Sequence, residues 1–104
     1  MSTDDWPFSD PKNVAVFTVA DILGRRAPIL LVSHEEEDGG WQFLTGDDLP
    51  PQEHWKLVGL SEIVSLDPSV KELADLPLGY SASRASSTDP WQRWKNPAVE
   101  NEEA

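Results

Sequence analysis

The fold class predicted by this sequence is α+β, an antiparallel sheet of four to five strands covered on one face by two short helices. Three observations predict it. The glycine pair Gly39-Gly40 separates an apolar run at 28–34 from an aromatic run at 41–45, which is the pattern of a β-hairpin. In the second run Trp41, Phe43 and Thr45 alternate against Gln42 and Leu44, the two-residue period of a strand. Between 61 and 75 the period changes to the i, i+3, i+4 spacing of helices.

Taken in order, the first dozen residues carry Pro7, Pro11 and several aspartates, and read as a flexible arm over 1–12 with Trp6 and Phe8 as anchors. Residues 14–19 are β-branched and apolar on both faces, as in a central strand; from Val19 to Leu23 helix and strand compete, with a helical turn ending at Gly24. The run 28–34 gives a second strand, joined through the turn 35–40 to the strand 41–45. Leu49-Pro50-Pro51 interrupts regular structure, and 55–58 adds a short edge strand. Ser61 is placed to N-cap a helix whose Leu60, Ile63 and Val64 face inward. Asp67-Pro68 caps a second helix with Val70, Leu73 and Ala74 inward, ended by Pro77 and Gly79. Residues 80–86 form a last strand, and Asp89-Pro90 starts one helical turn with Trp91 and Trp94 on one side. The domain is expected at 13–95, followed by a disordered acidic tail at 96–104.

At 104 residues the chain suits one domain that buries roughly 65% of its unfolded surface. Eight basic against nineteen acidic side chains give a formal charge of −11, which opposes nucleic-acid phosphate and anionic membranes and favours a basic protein partner. The bland reading is that the acid keeps a small protein soluble. The absence of cysteine excludes a disulfide framework, thiolate metal ligation and a catalytic thiol. No secretory signal or membrane-length apolar run stands out, so a cytoplasmic location is expected.

One ordered set of residues resembles a known family. Gly40-Trp41-x-Phe43-x-x-Gly46-Asp47, then Ile63-Val64 ahead of Asp67-Pro68-Ser69, Leu73, Pro77, Gly79 and a strand ending at Arg84, is similar to the small bacterial immunity-protein family catalogued as number thirty-three in the polymorphic-toxin systems, formerly a domain of unknown function. The similarity covers 14–94. The chain departs from that pattern in the short acidic segment interrupted by Pro50-Pro51 and in the Trp-rich ends at Trp6, Trp91 and Trp94, which could mark a relative with a different partner. The resemblance implies a non-enzymatic protein that neutralises a toxin by binding it.

The expected partner-binding surface is the acidic turn Glu35, Glu36, Glu37 and Asp38 together with Asp47 and Asp48, which would steer a basic protein. No cofactor is expected. His34 beside Glu35, Glu36 and Asp38 has metal-ligand residue types, but consecutive residues on an extended segment point to opposite sides, so a solvated turn explains them better. Asp47 and Asp48 with Glu53 and His54 offer carboxylates for a small hydrolase or metal-dependent enzyme; an Asx-type turn after Gly46 is the plainer account. Ser33, Ser81, Ser83, Ser86 and Ser87 supply hydroxyls without a Gly-x-Ser-x-Gly elbow or a phosphate loop. Trp41 and Phe43 read as core. Trp6, Trp55, Trp91 and Trp94 are hard to bury together in a small domain, which leaves a regulatory docking module as a third function class.

Overall fold

The computed structural model describes residues 6–46 and 52–96. Along the chain run β1 (Ala15–Val19), α1 (Ala20–Leu23), β2 (Leu31–His34), β3 (Trp41–Leu44), a 3₁₀ turn (Gln52–His54), β4 (Trp55–Gly59), α2 (Leu60–Leu66), a 3₁₀ segment (Pro68–Leu73), β5 (Tyr80–Ser83) and β6 (Gln92–Lys95). The strands form one sheet in the order β4-β1-β3-β2-β5-β6. The α+β class holds, but the sheet is six-stranded and mixed, not a four-to-five-stranded antiparallel one. β1 runs parallel to β3, while the other four neighbouring pairs are antiparallel. A parallel pair needs a crossover of a dozen or more residues. Here 20–40 supply it, carrying α1 and the whole of β2 before the chain returns as β3.

The hairpin between β2 and β3 closes as its glycines predict. Glu35 N–H donates to Gly40 O at 2.7 Å and Gly39 N–H to Glu35 O at 3.0 Å. Of the pair, Gly39 takes the left-handed conformation, with φ 73°. The competition at Val19 resolves both ways: Val19 ends β1 and Ala20 opens α1, which stops at Gly24.

Ser61 does not cap α2. The helix starts at Leu60 with Gly59 as N-cap and no side-chain cap. Its first donors are satisfied from outside, Leu60 N–H by Val14 O and Ser61 N–H by Lys12 O, both at 2.9 Å, so the chain entering β1 replaces a capping side chain. Asp67 does cap the next element, accepting from Ser69 N–H at 3.0 Å, although that element is 3₁₀ rather than α.

The expected helical turn at the Trp91-Trp94 pair is a strand, β6, and the expected last strand 80–86 is the shorter β5 beside it. Trp94 lies in β6, whereas Trp91 precedes it. Trp91 lies over the Arg84 guanidinium, 4.0 Å from its ring centroid, and Trp94 is exposed. Arg93 between them donates to Glu72 O at 2.8 Å and pairs with Asp75 at 2.7 Å, which ties β6 to the 3₁₀ element and the residues just after it. These long-range bonds outweigh the local Asp-Pro signal.

Leu60, Ile63, Val70, Leu73 and Leu76 join Val16, Val32, Trp41, Phe43 and Ala82 in one buried cluster, so both helical segments cover a single face of the sheet. Phe8 enters the same cluster and meets the Trp41 ring edge-on at 5.5 Å, while Trp6 donates from its indole to Asp10 O at 2.8 Å. Trp6 and Phe8 thus anchor the described part of the N-terminal segment. Residues 1–5 and 97–104, where the rest of the arm and most of the acidic tail were expected, lie outside the described residues.

Candidate functional site

The face opposite the helices is the candidate site. Strand register places one residue from each strand in a continuous row across it: Leu57 opposite Phe17, Phe17 beside Gln42, Gln42 opposite Ser33, Ser33 opposite Ser81, and Ser81 opposite Trp94. At about 4.8 Å per strand the row spans roughly 24 Å. Its ends are apolar and open to water, with Leu57 61%, Phe17 45% and Trp94 40% exposed. Its centre is polar and buried, with Ser33 9% and Ser81 5% exposed, so only the two ends are open. Ser33 Oγ donates to the Glu35 carboxylate and Ser81 Oγ bonds Asn96 Oδ1 at 2.6 Å. Val19 and Leu44, at the far end of the same face, are buried, so the apolar opening is confined to the row and its flanks.

The acidic turn adjoins one end of this face and is divided by it. Glu35, Asp38 and Asp10 line a groove of about 310 Å³ whose walls include Phe17, Leu57 and Gln42. Glu36 leans toward Gly79 on the β5 side, and Glu37 sits at the exposed tip. The four carboxylates expected to act together therefore serve different surroundings. Asp47 and Asp48 lie outside the described residues; Gly46, just before them, follows the opposite end of β3 from the 35–38 turn.

The remaining sequence candidates are placed as follows. His34 is on the covered face, stacked on Trp41 at 3.8 Å and 12°, and its Nδ1 lies 2.7 Å from Leu76 O. A carbonyl only accepts, so Nδ1 carries the hydrogen. Glu53 and His54 are exposed in the 3₁₀ turn before β4. Among the described residues no three His, Asp or Glu side chains converge as metal ligands. Ser86 and Ser87 are exposed, with Ser86 Oγ 3.2 Å from Thr88 Oγ1. Trp41 and Phe43 are 1% and 0% exposed and belong to the core. Trp6, Trp55 and Trp91 are half-buried and packed against it, so Trp94 is the one large aromatic of the Trp-rich ends that stands out from the described surface.

Sequence reasoning missed three contributors. Phe17 sits in a run apolar on both faces and Leu57 in a short edge strand, and nothing local says which face lacks a cover. Asp10 was absorbed into the arm. Arg84, noted above as a strand end, proves to be a structural hub: buried, it donates to Ile29 O from Nε at 3.1 Å and from Nη2 at 2.9 Å, to Ser69 Oγ at 2.9 Å and to Asp67 Oδ2 at 2.6 Å. It fastens the end of β5 to the 3₁₀ segment through Asp67 and Ser69.

No helix among the described residues is long and apolar enough to cross a membrane. Comparisons with protein-family models, with curated proteins and with solved structures each returned no match to this chain.

Proposed function

We propose that this chain is an acidic, non-enzymatic binding protein that acts by stoichiometric association with a basic protein partner, in the manner of the toxin-neutralising immunity proteins it resembles. The observation that supports the reading most is the exposed apolar pair Phe17 and Leu57 beside the 35–38 turn, which offers apolar area and negative charge on one surface. Apolar anchors supply affinity while the charge speeds and orients the encounter. The test is co-expression with the product of the adjacent gene. Rescue of growth from a toxic neighbour, together with a one-to-one complex on gel filtration, is the expected result. A harmless neighbour that forms no complex with the purified chain would overturn the reading.

The alternative of a small hydrolase or metal-dependent enzyme using Asp47, Asp48 and His54 has a separate test. Isothermal titration with Mg²⁺, Mn²⁺ and Zn²⁺ should show only diffuse binding; a stoichiometric micromolar site would put the enzyme reading first. The docking-module reading draws on the exposure of Trp94 and predicts that Trp94→Ala alone abolishes association.

A further inference from the structure

The geometry points to a more specific occupant of the open face: a partner segment that seats a lysine or arginine among Asp10, Glu35 and Asp38 and lays flanking apolar side chains on Phe17 and Leu57. This rests on the binding-protein reading and deepens it. The groove over the β1 and β3 seam carries three carboxylates and, among the described residues, no basic side chain in its lining. Each carboxylate is held by a donor from the chain: Asp38 Oδ1 by Gly40 N–H at 2.9 Å, Asp10 Oδ1 by the Trp41 indole N–H at 3.5 Å, and Glu35 by Ser33 Oγ. One oxygen of each is so engaged, and among the described residues the other accepts no hydrogen bond. A positioned, half-committed carboxylate loses little freedom when it receives an ammonium or guanidinium. The wall of the groove is apolar, with Phe17 and Leu57 facing each other across β1 and β4 and Trp55 edge-on to Phe17 at 6.0 Å. A purely polar cation would leave that wall wet, and a purely apolar segment would desolvate the carboxylates without compensation. An amphipathic basic segment satisfies both, because the methylene stem of lysine or arginine bridges the two environments. The chain's charge of −11 favours the same sign of visitor.

The experiment is an amide chemical-shift titration of the whole, isotope-labelled chain with a capped octapeptide of alternating leucine and lysine. It is run near 0.15 M salt, where the Debye length is about 8 Å and only charges in contact count. Two control peptides replace every lysine by glutamine or every leucine by serine. The expected result is saturable movement of Ala15, Phe17, Gly40 and Gln42, at least about tenfold weaker with either control. The same weakening is expected in the variants Asp10→Asn with Glu35→Gln and Asp38→Asn, and Phe17→Ser with Leu57→Ser. The amides keep the acceptors used by Trp41, Ser33 and Gly40, and the apolar pair is partly exposed, so both variants should stay folded, with wild-type amide shifts outside the groove, the serine pair melting somewhat earlier through its lost contact with Trp55. Shifts centred on Ser83 and Trp94, shifts spread equally over Glu36, Glu53 and Glu72, equal binding of the serine peptide, or no binding at all would each overturn the groove assignment. The co-expression test reads the broader function independently, since a complex that survives both groove variants rejects this site and leaves stoichiometric binding standing.

Discussion

The two faces of the sheet are made by the same six strands, alternating residue by residue, and they have opposite fates. On the covered face Val32, Trp41, Phe43 and Ala82 are sealed from water by α2, the 3₁₀ segment and Phe8. On the open face Leu57, Phe17 and Trp94 keep two-fifths or more of their surface in solvent. Apolar area is worth about 25 cal/mol per Å² when it leaves water, so the open row retains free energy that folding did not collect. Between Phe17 and its neighbours Val16 and Thr18 the strand period separates recognition from stability, whereas Val19 and Leu44 on the same face are buried. A substitution one residue from Phe17 should change which of the two it damages.

The sharpest way to break this contrast is Trp41→Ala on the covered face. It removes the ring between Phe8, His34 and Phe43 and should cost on the order of 3–5 kcal/mol, enough to unfold most of the population. A denaturant melt measures it, and an unchanged midpoint with lost partner binding would move Trp41 to the interface. Arg84→Met is next, at about 3 kcal/mol, because it strands the Asp67 carboxylate and the Ile29 carbonyl; Asp67 is still partly exposed, which keeps the loss at the low end for a buried pair. The same melt should show a smaller loss, about 1–2 kcal/mol, for the paired variant Phe17→Ser and Leu57→Ser, which gives up a half-buried cross-strand pair, with association lost as well.

Smaller still is the effect of the acidic turn on folding. Replacing Glu35, Glu36, Glu37 and Asp38 with Gln and Asn should leave the fold unchanged or slightly stabler, since like charges repel there, while slowing association with a basic partner and flattening its salt dependence. Dividing the set sharpens the comparison: stopped-flow mixing across a salt series should show that Glu35 and Asp38 carry most of the contact and that Glu36 and Glu37 act only at long range. The least effect concerns pH. The Arg93 guanidinium holds the Asp75 carboxyl below its ordinary value by hydrogen bonding and by charge. A carboxyl depressed in the folded state adds stability that is present above its unfolded value and fades as pH falls through the folded one. Both groups are well exposed, so the signature is a slight loosening of β6 in acid, visible as faster amide exchange at Arg93 and Trp94.

Local chemistry made much of this fold legible. The Gly39-Gly40 turn, the Asp67 cap, the edge position of β4 and the inward Leu60, Ile63, Val70 and Leu73 all follow from patterns within a few residues. What failed depended on distant partners. Ser61 lost its capping role to carbonyls about fifty residues earlier, at Lys12 and Val14. The Asp89-Pro90 signal lost to a ladder with β5 and to the Arg93 pair, and the parallel neighbour of β1 has no local signature. The candidate site was half legible: Glu35 and Asp38 were foreseen, whereas Asp10, Phe17 and Leu57 join them only through a register that spans β4, β1 and β3.

The position of β1 also sets an order of events during synthesis. It is made before both strands that flank it, and Ala15 finally pairs with Gly59. Until Trp41 has been polymerised, Val16, Phe17 and Val19 have no strand to rest against. The β2 and β3 hairpin closes within a short loop, on a scale of microseconds. β1 can pair with β3 only once residues 41–44 are made, and with β4 only once residues 55–59 follow. A nascent chain held at this stage exposes an adhesive, unpaired strand, which makes chaperone capture and strand exchange between copies hazards of its biosynthesis rather than of its finished state.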